Sequence, residues 1–472
     1  MGQTPPGASA LPSEAGGHLE KIVACLSGPV IVKGDKPSCS TLLARMAELK
    51  IPGVSIAVVH NGVIEWAQGF GVEQIGGKPV SSNTLFQAGS ISKPLAAMAA
   101  LHLVQLGKLS LDGDINKELT SWKIPASPAA PGAVVTLREL LTHTAGLTVH
   151  GFPGYAAGSP IPALKDVLDG TKPANTAPIR IEAVPGSRWN YSGGGYTVMQ
   201  QTLLDVSHEA FPKLLHDTVL APIGMTHSTY DQPLPPEFQS SAATPYTSKG
   251  EPIPGGAHTY PEMAAAGLWT TPSDLARYII ETQLSLQNKA NHVLSRDFTE
   301  QMLTPGKGNW GLGVEIEGSP SNPYFTHGGV NEGFQSLFVG YEHNGDGAVV
   351  MTNAAGGLQI ANDIMRSIAV EYAWPDLRPT ERTLAKVDRT TLARYAGTYI
   401  ATPTFSVVYT LEGDQMFAQA TGQQKFPIFP ESESKFFMKV VDAEVEFHVD
   451  NKGAVDYLVL HQGGHDYKEM RK

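Results

Sequence analysis

The sequence predicts an α+β protein: an antiparallel sheet flanked by helices, with a helical insertion, followed by a small all-β barrel. Three observations point there. Strand-like, β-branched runs lie near both ends of the first part of the chain, around residues 53–71 and 325–353. Between them, helical patterns alternate with loops rich in proline, alanine and glycine. Beyond residue 390, short strand-like runs recur between glycine and polar turns, the spacing of a small barrel. With 472 residues, 42% of them hydrophobic and 17% charged, the chain has the composition of a globular protein and enough length for a large core.

The elements follow in order. Residues 1–18 are polar, small and proline-rich; they read as a disordered tail and lack the basic and apolar segments of a signal peptide. Cys25 and Cys39 are the two cysteines of the chain, and their polar surroundings fit a disulfide or two free thiols equally well. From Gly53, "GVSIAVVHNGVIEWAQGFG" joins two apolar runs through Asn61-Gly62, the pair a type I′ hairpin turn requires. In "SISKPLAAMAALHLVQLGKL", Pro94 suits a first helical turn, only His102 and Gln105 are polar between Leu95 and Leu106, and Gly107 suits the stop. This is the pattern of a buried helix. "LRELLTHTAGL" reads as a short helix and turn. A longer helix is expected from near Gly195, and another after Thr271-Pro272-Ser273-Asp274. "FTHGGVNEGFQSLFVGYEHNGDGAVVMTN" holds two strands about a glycine-rich turn, and "LQIANDIMRSIAVEYA" a closing helix. The body is thus assigned to residues 19–375, a charged, aperiodic linker to 376–390 and the barrel to 391–472.

The chemistry starts at Ser90. Lys93 stands three residues on, hence beside it on one helical face, where the helix enters an apolar environment. The helix N-terminus offers free N–H groups for a developing oxyanion, and a desolvated lysine next to a hydroxyl can accept its proton. A second Ser-x-x-Lys, Ser432–Lys435, lies in a polar turn and reads as a chance match. Tyr191, in "RWNYSGGGYTVMQ", is a candidate proton carrier if Lys93 holds it as a phenolate. Gly328 and Gly329, after His327, are placed to let backbone approach a ligand. A net charge of −11 argues against a nucleic-acid partner. His461 and His465 lie in an expected turn, and there is no His-Glu-x-x-His, so no metal and no cofactor are expected. Gly-x-Ser-x-Gly is absent, which removes the α/β-hydrolase elbow.

Residues 86–113 resemble the first motif block of the serine β-lactamase and penicillin-binding protein superfamily. The resemblance is closest to its class C-like branch, which includes family VIII esterases, D-aminopeptidases and D-Ala-D-Ala carboxypeptidases, and it extends over most of residues 45–375. "LLTHTAGL" is similar to a characteristic block of that branch, with Ala145 at its usual serine. Tyr191-Ser192-Gly193 stands where the branch has Tyr-x-Asn, and His327-Gly328-Gly329 where it has Lys-Thr-Gly or a His or Trp variant. The last region resembles the lipocalin-like barrel appended to some members.

The resemblance implies a serine hydrolase working through an acyl-enzyme. Ser90, Lys93, Tyr191 and His327 would be the catalytic set. The backbone N–H groups of Ser90 and Val330 would form the oxyanion hole, and Gly193, Gly328 and Gly329 would line the substrate. Gly193 cannot offer the asparagine's hydrogen bond to a substrate amide. Small carboxylic esters are therefore expected first, short D-configured peptides second and β-lactams a poor third. The non-enzyme alternative is an inactive binding protein on the same fold. The branch's substrates and a Cys25–Cys39 bond would fit a periplasmic or secreted protein. Small-molecule esters or short peptides are the partners expected, with no membrane span and the oligomeric state open.

Overall fold

The computed structural model describes residues 13–35, 39–451, 453–463 and 465–472. The chain divides into two compact units. One comprises Leu43–Asn362 with the N-terminal stretch up to Glu20; the other comprises Lys21–Leu42 with Asp363–Lys472.

The first unit is built on a six-stranded antiparallel sheet. Its strands are β1 (Gly53–His60), β2 (Val63–Gly71), β3 (Glu315–Ser319), β4 (Asn322–Asn331), β5 (Phe334–Tyr341) and β6 (Gly347–Thr352). The order across the sheet is β2-β1-β6-β5-β4-β3. The first hairpin therefore zips onto the last strand, Val54 opposite Thr352 and Val59 opposite Gly347, and both ends of this part of the chain share one sheet as expected. Asn61 and Gly62 both have positive φ, +54° and +77°, as the hairpin turn demands.

Helix α1 (Ser92–Gln105) is buried almost all round, which explains its apolar composition. Helix α2 (Gly193–Ser207) starts two residues earlier than expected, with the Ser192 hydroxyl accepting from Gly195 N–H as its cap. Helix α3 (Met263–Ala266) is a single turn. Helix α4 (Pro272–Leu286) begins as read, Thr271 capping Asp274 N–H and Pro272 in the first turn. It lies close on the sheet: a methyl added at Gly340 would meet Ile279 at 2.8 Å.

The second unit holds a closed eight-stranded barrel from Gly397 to Arg471, sealed by pairing of Tyr399 with Arg471 and Ile400 with Met470. Its interior is aromatic, with Tyr395, Tyr399, Tyr409, Phe436 and Phe447 buried together. His461 and His465 stand on adjacent strands of one hairpin, Gln462 opposite His465.

Three boundaries of the sequence reading change. The body assigned to residues 19–375 is divided, Lys21–Leu42 and the chain from Asp363 onward falling in the second unit. The expected tail over 1–18 is described only from residue 13, and there it is helix, Ser13–Ala24, in which Ala15 and Ile22, two turns apart, are buried. The segment 376–390 is not a structureless linker: Thr380–Arg382 forms a strand parallel to Val30–Val32. Arg382 then reaches Glu431, Glu444 and Asp442 on the barrel. Val30 and Val32 pack against Phe437, and Cys25 is bonded to Cys39 nearby in sequence. A pairing partner some 350 residues away leaves no local periodicity to read. Among the described residues no helix is long and apolar enough to cross a membrane.

Candidate active site

Ser90 sits in a single 3-10 turn, Gly89–Ile91, that runs into α1. The turn is held tightly. Ser92 Oγ donates to Gly89 O (2.6 Å) and accepts from Leu268 N–H (2.9 Å), and Tyr230 hydroxyl donates to Ser92 O (2.6 Å). Gly89 has φ +54°, and a methyl there would lie 2.5 Å from Val330 N. Only glycine permits both the conformation and that approach.

Lys93, 2% exposed, points back along the helix to Ser90. Its Nζ lies 2.9 Å from Ser90 Oγ and 2.8 Å from Ala265 O. Desolvation lowers its pKa from 10.5 to about 7, because no carboxylate compensates the buried ammonium. Ala265 belongs to α3, which Gln200 of α2 brackets: its Nε2 donates to Pro261 O (3.0 Å) and its Oε1 accepts from Ala264 N–H (2.9 Å).

Tyr191 completes the group. Its ring centroid lies 4.9 Å from Lys93 Nζ, and the Ser90 side chain is close enough to favour its ionised form slightly. Burial pushes the phenol well above its ordinary value. This differs from the expectation of a phenolate: desolvation outweighs the opposing influence of the Ser90 side chain, so Tyr191 rests neutral and Lys93 is the group that can lose its proton near neutrality.

His327 lies on β4. Its Nδ1–H donates to Gly328 O (2.6 Å), and burial, then the Lys93 charge, lower its pKa to about 3. The imidazole is therefore neutral. Gly329 is where β4 meets the serine turn: a methyl there would fall 1.9 Å from Ala88 O. A methyl at Gly328 would meet its nearest neighbour, Ser336 O, at 3.9 Å, an ordinary contact, so only one of the two glycines is sterically required.

Other residues of the site carried no assigned role in the sequence. His143, within "LLTHTAGL", is buried at φ +56°; its Nδ1 accepts from Ser192 N–H (3.1 Å) and its ring lies 4.2 Å from that of Tyr191. Burial holds its pKa well below the usual histidine value. Trp310 packs edge-on to His143 and His327, 5.0 and 5.4 Å between centroids. Asn331 Nδ2 donates to Gln87 Oε1 and to Ala266 O, both at 3.0 Å, tying β4 to the strand before Ser90 and to α3. The quoted "LLTHTAGL" block could have pointed to His143. Nothing local marks Ala265, which acts through its backbone, or Trp310.

The second Ser-x-x-Lys is elsewhere. Lys435 pairs with Glu444 and Glu446 on the barrel, which also ties up two of the three side chains in the Glu444–Glu446–His461 group.

An antiparallel sheet with a helical insertion, enclosing a serine bonded to a desolvated lysine that sits beside a buried tyrosine, defines a serine hydrolase of the β-lactamase and penicillin-binding type. The chain belongs to the β-lactamase family, whose pattern it matches over residues 40–371; residues 381–471 match a domain described as of unknown function, DUF3471. A penicillin-binding protein of Bacillus subtilis is 22% identical over 458 residues, 90% of this chain and 96% of its own. Among solved structures, the octameric penicillin-binding protein homologue from Pyrococcus abyssi is 21% identical with a TM-score of 0.62, covering 91% of this chain and 98% of its own. D-alanine carboxypeptidase AmpC from Burkholderia cenocepacia is 22% identical with a TM-score of 0.55, covering 70% and 96%.

Proposed function

We propose that the protein hydrolyses small carboxylic esters through an acyl-enzyme on Ser90. The observation that carries this reading is the 2.9 Å contact between Ser90 Oγ and an amine whose pKa is near 7. Neutral Lys93 accepts the Ser90 proton as Oγ attacks the carbonyl carbon, while still donating to Ala265 O. The N–H groups of Ser90 and Val330 receive the oxyanion; one such donor is worth about 3 kcal/mol of barrier. Neutral Tyr191, beside Lys93, passes a proton toward the departing alkoxide and is re-protonated from Lys93. Water, activated by the same pair, then releases the acid and restores Ser90.

The ester preference rests on Gly193, which has no side chain to meet a substrate amide; an unpaired buried amide costs about 1–3 kcal/mol. His327 in place of the Lys-Thr-Gly lysine disfavours penicillin turnover. A D-amino-acid peptidase is the second reading, supported by the carboxypeptidase of the same fold. The test is intact-mass detection of a covalent adduct with a fluorophosphonate, followed by kcat/KM for p-nitrophenyl acetate and butyrate, D-alanine p-nitroanilide and nitrocefin. Ser90→Ala should show neither adduct nor turnover. Wild-type-like labelling of that variant removes the assignment, and turnover of the anilide alone moves the protein to the peptidases.

A further inference from the structure

The space beside Gly193 is filled from another part of the chain. Residues 148–154 are laced to the segment carrying Tyr191. Gly194 N–H donates to Val149 O (2.8 Å), Ser192 Oγ donates to Thr148 O (3.0 Å), and His150 Nδ1 pairs with Tyr191 O. Val149, a β-branched residue, is held at φ +67°, a conformation that persists only where its surroundings impose it. This lacing delivers Phe152. A methyl built on Gly193 would lie 2.9 Å from a carbon of the Phe152 ring; the next contacts are the same ring at 3.4 Å and His150 O at 3.5 Å. Phe152 is half-buried and packs against the main core.

Resting on the acyl-enzyme reading above, we infer that Phe152 is a specificity-determining residue whose ring takes the place of the side chain Gly193 lacks, giving the site an apolar wall selective for substrates with an aromatic acyl group. An aromatic face offers apolar area and edge-to-face contact and no hydrogen bond, so it favours phenylacetyl-type acyl groups over small polar ones. Glycine at 193 and phenylalanine at 152 are then one device: a side chain at 193 must displace the ring.

The experiment compares kcat/KM for phenylacetyl and acetyl substrates in whichever series, p-nitrophenyl ester or p-nitroanilide, the wild-type enzyme turns over. A peptidase result then overturns the ester reading without deciding this one. Within one protein the phenylacetyl-to-acetyl ratio does not depend on the active fraction. Since a single methylene in an apolar pocket is worth roughly 10–200-fold, Phe152→Ala should lower the ratio at least about tenfold, with fluorophosphonate labelling of Ser90 retained. Phe152→Leu should give an intermediate ratio. Gly193→Asn alone should label slowly, and the double variant Phe152→Ala/Gly193→Asn should regain labelling. A ratio unchanged in Phe152→Ala, or Gly193→Asn as reactive alone as in the double variant, overturns the inference.

Discussion

The pH dependence of acylation should be set by Lys93. Its fall from 10.5 to about 7 raises the neutral fraction at pH 7 from roughly one in three thousand to about one half, equivalent to ~5 kcal/mol between the two protonation states. With p-nitrophenyl butyrate, log kcat/KM should therefore climb with unit slope below pH of about 7 and level off above it. Neither histidine of the site can supply that limb, since His327 titrates near 3 and His143 is also held low. Glu262, whose carboxyl burial pushes up to about 7, is excluded if Glu262→Gln keeps the limb. Lys93→Arg keeps a charge that does not titrate, so it should lose about 10³-fold or more in kcat/KM at pH 8. The same group links folding to pH. Between about 7 and 10.5 the unfolded chain holds a proton that the folded protein lacks, so this contribution makes stability rise with pH across that window. Lys93→Met should abolish that rise. A flat wild-type rate profile from pH 5 to 8, together with parallel stability curves for wild type and Lys93→Met, would refute the reasoning.

Three further outcomes are expected. Gly329→Ala places a methyl 1.9 Å from Ala88 O and should abolish fluorophosphonate labelling, whereas Gly328→Ala, whose methyl would come no nearer than 3.9 Å to any neighbour, should label at close to the wild-type rate; equal behaviour would contradict the close approach. His143→Ala strips Ser192 N–H of its buried acceptor, which should destabilise by about 1–3 kcal/mol and lower kcat more than it raises KM, as seen in denaturant melts and steady-state kinetics. Cys25→Ser/Cys39→Ser opens a crosslink with a sequence separation of 14 and should lower stability by roughly 3 kcal/mol, detectable as a shift in the melt that a reductant reproduces in the wild-type protein.

What could be read before folding was whatever is local. Asn61-Gly62 announced its hairpin because the turn needs positive φ at two adjacent residues. The apolar circumference of α1 announced burial, and the three-residue step from Ser90 to Lys93 put both on one helical face. The spacing of short runs after residue 390 announced a barrel. What was not local required the fold. The phenolate expectation for Tyr191 weighed one charge and missed desolvation, which depends on how many elements close over the ring. Ala265 O, His143 and Trp310 reach the site from three segments that sequence separates widely. The strand at 380–382 exists because Val30–Val32 lies beside it. Gly193 looked like a simple loss of a side chain, yet its meaning depends on Phe152, about forty residues earlier, whose ring stands where that side chain would go. Periodicity and turn chemistry are properties of neighbouring residues and survive in the one-dimensional chain. Burial, dielectric environment and close approach belong to pairs of distant residues, so only the tertiary structure decides them.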